Sequence, residues 1–399
     1  MIIERMLYIF IEKELHMQFK ITSLFLFLCF YPFSSHSQDN TKQMELESLC
    51  NNSEGNACFA LAKNYLESGK QKESVELLKK SCEFNYFPAC NEVGVLLQKG
   101  EIIPTDLNQA KSYLERSCEN RNVNGCQLLV DFHKSVIKKS ISSPESIPNS
   151  YQYRVADRFY EIGCELNVGD ACTQFGSGIE FRHFDSQDEA FSNFRKAMEY
   201  YDKACSLNSG EGCARLAKLQ EGLGTHIRYY EKSCNLNCGE GCGSLGFIYF
   251  EGKEVKKDIF RAQSLFTKGC DLEDEYSCRL LGYMYKYGKG VKQSYSNAIK
   301  FMEKSCSLSV SDCGYLADFY LSGNGVRQDY KKAAELYKKA CDSHFTTSAC
   351  VSLGEMYYFG HGLKKDRKKA KELFGWACDM QDENGCENYS KMNRGLPLY

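Results

Sequence analysis

The spacing of the cysteines constrains this chain more than any other feature. Twenty of its 22 cysteines form ten couples, and the members of eight couples lie eight residues apart. The first members recur at steps of 29 to 46 residues, most of them near 36, and such a period is typical of an array of helical hairpins. The ten couples are Cys50 with Cys58, Cys82 with Cys90, Cys118 with Cys126, Cys164 with Cys172, Cys205 with Cys213, Cys234 with Cys242, Cys270 with Cys278, Cys306 with Cys313, Cys341 with Cys350 and Cys378 with Cys386.

The residues after each couple have the pattern of a helix, which we call helix A. An apolar residue stands three positions after the second cysteine, often with tyrosine four positions further on, as at Leu281 and Tyr285. The position after the apolar residue is usually Gly or Ala, as at Gly282. This spacing places all three on adjoining parts of one helical face, and the small residue predicts close contact with a neighbouring helix.

The residues before each couple predict a second helix, helix B. Apolar side chains stand four and five positions before the first cysteine in all nine units that follow the first couple, and alanine stands eight before it in seven of them. Together these patterns predict an all-α fold of about nine helical hairpins. Residues before Cys50 and after Cys386 are expected to form single capping helices, because an array needs polar ends.

The turns are predicted from glycine and asparagine. Gly-x-Gly lies between helix A and helix B at 288–290, 323–325 and 360–362, and it follows a helix without a third glycine, unlike a phosphate-binding loop. Between helix B and the next helix A, an asparagine three positions after the first cysteine is expected to take the left-handed conformation. These asparagines are Asn85, Asn167, Asn208 and Asn237.

Three units depart from the common length. The unit from 129 to 164 has about ten extra residues, which we place in a polar loop at 140–150. The unit from 175 to 205 has about five extra residues near 181–189. The unit from 216 to 234 is seven residues short, and we expect it to lack the glycine turn.

The N-terminus predicts export. Met17 precedes Lys20, an apolar run at 21–33 and the polar residues 35–37, which together have the order of a secretory signal peptide. We therefore predict that residues 1–37 are a leader and a cleaved signal, with Met17 as the true start, and that residues 38–399 form the solenoid. An even set of cysteines in an exported chain favours a disulfide framework and a periplasmic or secreted location.

Charge argues against nucleic acid as a partner. The chain has 50 Lys and Arg against 52 Asp and Glu, for a net charge of −2, and no stretch of sequence is dominated by basic residues. The pairs at 331–332 and 368–369 are interpreted as solvated helix surface. The apolar run at 21–33 is too short to cross a membrane, so no transmembrane segment is expected.

The segment from Leu281 through the turn at 288–291 to Ala298 and Cys306 resembles a Sel-one-like repeat, which is related to the tetratricopeptide repeat. The cysteine couples are similar, more specifically, to those of the Helicobacter cysteine-rich protein family, and the resemblance covers residues 45 to 392. It implies an exported, right-handed αα superhelix in which each couple is oxidised across its turn. It also implies a binding or host-interaction function, and some family members are described as weakly penicillin-binding or β-lactamase-like.

Catalytic residues cannot be assigned from the sequence. Ser135 and Lys138 match the Ser-x-x-Lys pattern of penicillin-binding enzymes, but the Ser-Asp-Asn and Lys-Thr-Gly partners are absent. His133 stands where other units place tyrosine, and we interpret it as packing. No cofactor or metal is expected. Cysteines 234, 238 and 242 form a spaced run that resembles a metal site, but the metal reading lacks Cys-x-x-Cys spacing and histidine partners.

Binding residues are predicted on a second face of helix A, two and six positions after the repeat apolar residue. This face carries more aromatic residues than a solvated surface normally does, and we expect it to line a concave groove that binds a protein or peptide. The alternative is that these rings pack between adjacent helices. The predicted partner-binding residues are Phe247, Tyr283, Tyr287, Glu355 and Phe359.

Cys238 is the one cysteine left over once Cys29 is removed with the signal and the ten couples are counted. We expect it to be an accessible free thiol that supports a minor covalent dimer.

Overall fold

The computed structural model describes residues 35–141, 150–181, 186–222, 224–343 and 346–398, and within them it contains twenty α-helices and no strand. A single helix α1 (Ser35–Asn51) comes first, and a single helix α20 (Glu383–Asn393) comes last. Between them lie nine helical hairpins, as predicted.

The nine hairpins, each with helix A before helix B, are numbered in chain order: α2 (Gly55–Glu67) with α3 (Gln71–Glu83), α4 (Phe87–Lys99) with α5 (Leu107–Glu119), α6 (Val123–Ile141) with α7 (Ser150–Glu165), α8 (Gly169–Glu180) with α9 (Gln187–Ser206), α10 (Gly210–Leu219) with α11 (His226–Asn235), α12 (Gly239–Glu251) with α13 (Ile259–Asp271), α14 (Glu275–Tyr287) with α15 (Tyr295–Leu308), α16 (Cys313–Ser322) with α17 (Tyr330–Asp342), and α18 (Thr347–Phe359) with α19 (Arg367–Asp379). A short 3-10 turn, Val310–Asp312, precedes α16.

The apolar stripes of the sequence are the contact between the two helices of each hairpin. In hairpin 7, Leu281 of helix A and both Ala298 and Met302 of helix B are almost completely buried. A Cβ added at Gly282 would lie 2.7 Å from the terminal methyl of Met302, so a larger residue would push the helices apart. The small residue after the repeat leucine therefore sets the distance between helix A and helix B.

Each of the ten cysteine couples is joined by a disulfide within the couple, across the turn from helix B to the next helix A. The Cα atoms of the joined residues lie 4.3 to 4.8 Å apart. No disulfide of the described residues links one couple to another. The disulfides join Cys50 to Cys58, Cys82 to Cys90, Cys118 to Cys126, Cys164 to Cys172, Cys205 to Cys213, Cys234 to Cys242, Cys270 to Cys278, Cys306 to Cys313, Cys341 to Cys350 and Cys378 to Cys386.

The backbone of these turns is left-handed at one residue. The four asparagines singled out in the sequence have φ angles of 59° to 63°, which confirms the predicted conformation. Ser53, Arg121, Glu273 and Gln381 take the same conformation at the same position of other units. In these eight turns the position three residues after the first cysteine reverses the chain whether or not it carries asparagine, whereas Ser309, after Cys306, is extended with a φ angle of −134°.

A lysine two positions before the first cysteine links successive helices B, a contact that the sequence patterns did not reveal. The ammonium groups of Lys203, Lys232 and Lys268 each donate a hydrogen bond, 2.7 Å long, to the carbonyl of the first cysteine in the preceding couple. That carbonyl lies at the C-terminal end of a helix, where a cation is favoured by the helix dipole.

The three irregular units remain hairpins, but their extra length is distributed differently from the prediction. Helix α6 continues to Ile141 and α7 begins at Ser150, so both ends of the predicted loop at 140–150 are helical, while residues 142–149 lie outside the described residues. Helix α9 begins at Gln187, and the added residues there lengthen helix B to 20 residues.

The prediction that the short unit lacks a glycine turn is wrong. Its helices α10 and α11 have ten residues each. Between them, Gly222 and Gly224 have φ angles of 84° and 74°, a conformation that glycine adopts without steric cost. The unit is short because its helices have fewer residues.

Contacts divide the chain into two compact units, one ending at Ser117 and the other starting at Cys118. Within the second unit, helices A of successive hairpins lie side by side. Lys134 of α6 forms ion pairs with Asp170 of α8 and with Glu211 of α10, both at 3.1 Å. The side chains that helices A present here form a surface that we call the helix A face.

None of the described helices is long and apolar enough to span a membrane. Of the predicted leader and signal, residues 1–37, the first 34 lie outside the described residues, and residues 35–37 belong to helix α1.

Candidate binding face and relatives

Aromatic rings from three successive hairpins meet on the helix A face. The rings of Phe247 and Tyr276 lie 6.0 Å apart, edge to face, and those of Tyr283 and Tyr315 have the same separation. Tyr283 also stacks parallel to Tyr287 at 5.9 Å. We call these five rings, together with Arg279, the aromatic cluster.

Arg279 contacts rings from two neighbouring hairpins of the cluster. Its guanidinium lies 5.2 Å from the ring centres of both Tyr276 and Tyr315, a geometry that gives cation–π attraction to each. The same guanidinium forms a 2.7 Å ion pair with the buried carboxylate of Asp312, which also accepts a hydrogen bond from Ser305. Because the ion pair fixes the arginine, the two rings are held in a preorganised arrangement.

The cluster is part exposed and part buried. Tyr287 exposes 55% of its surface and Phe247 exposes 38%, while the other three rings are half-buried. Burial raises the pKa of the Tyr276 and Tyr283 phenols, so both remain protonated and able to donate hydrogen bonds at neutral pH. The face therefore offers apolar ring surface together with phenol donors.

An acidic cleft of about 460 Å³ adjoins the cluster at Tyr276. Burial raises the pKa of Glu240 and of Glu275, and the carboxylate of Asp274 acts in the same direction on both. Asp274 itself caps helix α14 by accepting a hydrogen bond from the backbone of Ser277 at 2.8 Å. The cleft is lined by Gly239, Glu240, Ser244, Leu272, Glu273, Asp274, Glu275 and Tyr276.

The predicted binding residues separate into two groups. Phe247, Tyr283 and Tyr287 belong to the aromatic cluster. Glu355 accepts a 3.4 Å hydrogen bond from Asn388 of α20, and burial raises the pKa of its carboxyl. Phe359 is the last residue of helix A in hairpin 9, and its ring stacks at 5.6 Å on the ring of His361, which lies beyond the end of that helix.

Sequence reasoning missed Tyr276, Arg279 and Tyr315. Tyr276 lies two positions before Cys278, Arg279 lies one position after it, and Tyr315 lies two positions after Cys313. The prediction considered only positions that follow the repeat leucine. Tyr276 precedes Tyr283 by seven residues, so extending the helical period towards the N-terminus would have found it. Tyr315 comes from the next hairpin, and only the stacking of hairpins brings it to Tyr283.

Cys238 forms no disulfide. It is the residue at the N-cap of α12, with extended backbone angles, and it is half-buried. A Cβ added at Gly210 of the neighbouring hairpin would lie 2.9 Å from the Cβ of Cys238, so the two turns are in close contact. Burial raises the pKa of the thiol, which lowers the thiolate fraction at neutral pH.

The residues considered for catalysis have structural contacts. The hydroxyl of Ser135 donates to the carbonyl of Phe132 in its own helix at 2.8 Å. Nδ1 of His133 lies 2.9 Å from the hydroxyl of Tyr160 in helix B of the same hairpin, as the packing interpretation predicted. Within the part of the chain that the structure describes, no group of His, Cys, Asp or Glu is arranged to hold a metal ion.

The repeats seen in the fold match a known sequence pattern. The Sel1 repeat matches residues 88–122, 170–209, 240–274, 275–310, 313–344 and 347–382, more than half of the chain. The chain belongs to the Sel1 repeat family. With its ten disulfides it is a cysteine-rich member, which confirms the resemblance seen in the sequence.

Solved structures include several Sel1 repeat proteins that are similar to this one. A Sel1 repeat protein from Oxalobacter formigenes is 20% identical, over 58% of this chain and all of that chain, with a TM-score of 0.50. Cysteine-rich protein B of Helicobacter pylori is 40% identical, over 33% of this chain and 98% of that chain, with a TM-score of 0.28.

A protective antigen of uropathogenic Escherichia coli with the same repeat fold is 17% identical, over 89% of this chain and 91% of that chain, with a TM-score of 0.47. No curated protein matches the chain in sequence.

Proposed function

We propose that this Sel1 repeat protein is an exported scaffold that holds a polypeptide partner on the helix A face of hairpins 6 to 8. The aromatic cluster is the observation that carries the proposal. Tyrosine and arginine supply much of the affinity at protein interfaces. Tyrosine buries a large area with little loss of side-chain freedom, and the freedom of Arg279 is already restricted by its ion pair with Asp312. Here Arg279 holds the half-buried rings of Tyr276 and Tyr315, and the exposed rings of Phe247 and Tyr287 pack against Tyr276 and Tyr283.

Ten disulfides support the location. Disulfides form and persist in oxidising compartments, so they indicate a site outside the reducing cytosol. The signal sequence predicted at residues 17–37 adds export to the periplasm or the cell exterior. A scaffold in such a place would meet envelope proteins or proteins of a host.

The test is affinity capture with the oxidised chain and with the double variant Tyr283→Ala, Tyr287→Ala. Periplasmic extract and host-cell surface proteins supply the candidate partners. We expect one abundant polypeptide to bind the native chain, and the double variant to bind it at least tenfold more weakly, because two central rings are lost. Circular dichroism should show unchanged helicity, since Tyr287 is exposed and Tyr283 only half-buried.

Phe260→Ala is the matched control, because that ring is 76% exposed at the start of helix B in hairpin 6 and lies outside the cluster. Equal loss of binding in the control would contradict the assignment. Unfolding of the double variant would show that the rings belong to the core. Capture of penicillin or glycan alone, with no polypeptide, would favour the penicillin-binding alternative.

A further inference from the structure

The turns between helix A and helix B form a continuous edge along hairpins 6 to 9. Gly290 packs against Ile259 at the start of the preceding helix B, Gly325 packs against Tyr295, and Gly362 packs against the backbone of Tyr330. In each case the approach is too close for a Cβ. Each turn therefore rests directly on the previous hairpin. We call this surface the turn edge, made of residues 251–259, 286–295, 322–332 and 359–369.

The turn edge is strongly basic, although the whole chain has a net charge of −2. It has fourteen Lys and Arg residues against five Asp and Glu, and all of the cations except the half-buried Lys286 are exposed. The cations are Lys253, Lys256, Lys257, Lys286, Lys289, Lys292, Arg327, Lys331, Lys332, Lys364, Lys365, Arg367, Lys368 and Lys369.

The few carboxylates of the turn edge already have partners. Asp258, Asp329 and Asp366 each accept a backbone N–H at the start of helix B, at 2.9 to 3.0 Å. Glu251 pairs with Lys253 at 2.9 Å, and Glu254 lies 3.0 Å from the imidazole of His226. Most of the positive charge is therefore not neutralised from within the edge.

Helix stability does not explain this charge. The first turns of α17 and α19 contain lysine and arginine but no acidic residue, and the helix dipole disfavours positive charge at that end. The N-cap residues Asp329 and Asp366 offset part of this effect. Ring contacts of Lys332, Arg367 and Lys369 with Tyr320, Tyr358 and Tyr357 also hold these cations at the helix ends. The helices therefore tolerate this positive charge without requiring it.

The opposite ends of the same hairpins are acidic. The disulfide turns, residues 271–277, 307–313, 342–349 and 379–385, contain no Lys or Arg. A helix of 13 residues separates the two ends by about 20 Å. The charge of hairpins 6 to 9 is thus segregated between two edges. The acidic residues of the disulfide edge are Asp271, Glu273, Asp274, Glu275, Asp312, Asp342, Asp379, Asp382 and Glu383.

Aromatic rings accompany the cations on the turn edge. His361 lies between two rings, stacked on Tyr330 at 5.1 Å and on Phe359 at 5.6 Å. Phe359 is 43% exposed and Tyr330 is 36% exposed. Aromatic side chains of this kind partition into the headgroup region of a bilayer, where one part of the ring meets lipid and another meets water.

We infer that the turn edge of hairpins 6 to 9 binds the surface of a bilayer that contains anionic lipid. Each repeat adds one group of exposed cations, so the cations form a row that can face the many negative headgroups of a bilayer surface. Basic protein segments are attracted to anionic bilayer surfaces in general. Nucleic acid is also a polyanion, but the ten disulfides place the chain in an oxidising compartment. The acidic disulfide edge would be repelled by the same surface, so the molecule would bind turn edge first. This surface adjoins the aromatic cluster at Tyr287, which belongs to both, and the other residues of the two surfaces differ.

The test is co-sedimentation of the oxidised full chain with vesicles. Vesicles with about 30% phosphatidylglycerol in phosphatidylcholine should bind the protein at 50 mM salt, and pure phosphatidylcholine should bind it at least tenfold more weakly. Binding should fall steeply at 300 mM salt, because surface charges are screened. The variant Lys364→Gln, Lys365→Gln, Lys368→Gln should lose at least tenfold in affinity while keeping its helicity.

The control variant is Lys304→Gln, Lys338→Gln, Lys339→Gln, which removes the same charge near the ends of helices B, away from the turn edge. It should bind as the native chain does, and so should the single variant Tyr283→Ala, because Tyr283 belongs to the aromatic cluster and lies outside the turn edge. Equal binding to neutral vesicles, equal loss in the lysine control, or tighter binding of duplex DNA than of the anionic vesicles would overturn the lipid assignment.

Discussion

At the scale of the residue, Cys238 shows how position in the fold changes the chemistry of a side chain. The sequence distinguishes it only as the cysteine without a couple. In the structure it is at the N-cap of a helix and packs against Gly210 of the neighbouring hairpin, and burial raises the pKa of its thiol. The thiol is thus half-buried and less reactive at neutral pH than a free cysteine on an open surface.

We predict that in a chain beginning at residue 38, Cys238 reacts slowly with an alkylating reagent at pH 7 and faster at pH 9. The raised pKa leaves little thiolate at the lower pH, and thiolate is the reactive form. A minor disulfide-linked dimer should appear on non-reducing gels and should be absent in Cys238→Ser. The variant should unfold within about 0.5 kcal/mol of the native chain, because serine is also a good N-cap residue.

Alkylation of the denatured, unreduced chain is the companion measurement. One modified thiol per chain is expected. If no thiol reacts even then, Cys238 is paired, and the disulfide between Cys234 and Cys242 has to be reassigned.

At the scale of the element, the junction between hairpins 4 and 5 shows three local devices that join one hairpin to the next. The disulfide between Cys205 and Cys213 closes the turn, the left-handed Asn208 reverses the chain, and Lys232 of the following helix B bonds the carbonyl of Cys205. All three act at the end of α9, where backbone groups otherwise lack partners. The turn is therefore the most strongly determined part of the repeat.

We predict that Lys232→Met lowers the free energy of unfolding by about 1 kcal/mol, the usual worth of one hydrogen bond. The substitution keeps the length of the side chain but removes the bond from Lys232 to the carbonyl of Cys205. Lys338→Met is the control, because Lys338 is exposed near the end of α17. Urea denaturation of both oxidised variants measures the difference. Equal values for the two variants would contradict a stabilising role for the lysine.

At the scale of the whole molecule, the disulfides and the stacking of hairpins share the work of stabilisation. A single hairpin cannot bury its apolar face, so each depends on its neighbours. Closing a loop of eight residues removes on the order of 2.5 kcal/mol of unfolded-state freedom in the chain-entropy model. Folded domains are stable by only about 5–15 kcal/mol, so even part of the effect of ten closures is comparable with the total.

We therefore predict that the fully reduced and alkylated chain loses most of its helicity at 37 °C, while the oxidised chain keeps it. Far-UV circular dichroism of the two forms is the measurement. A chain alkylated without prior reduction serves as control for the reagent. Full helicity in the reduced form would show that packing of the hairpins is sufficient and that the disulfides contribute little.

The sequence by itself determined the local architecture. Helices, hairpins, the left-handed asparagines and the family were all predicted, because helical periodicity and turn chemistry depend on residues a few positions apart. Where a unit departed from the repeat, prediction was weaker. The glycines at 222 and 224 were overlooked, and Ser140 proved to be helical, because insertions give no periodic signal to follow.

Only the tertiary structure decided which side chains of different hairpins share a surface. Tyr315 of hairpin 8 contacts Tyr283 of the adjacent hairpin 7, whereas Phe359, predicted for the same face, stacks on His361. The cations of the turn edge come from four turns spread over more than 100 residues of sequence, and only the stretch at 364–369 is visibly basic by itself. The physical reason is the same for the contact of Tyr315 with Tyr283, for the position of Phe359 and for the turn edge. A repeat of about 36 residues returns each position to the same edge or face of the array, and the spacing and rotation between hairpins, which fix what meets there, arise from packing between helices and are not encoded in any single segment.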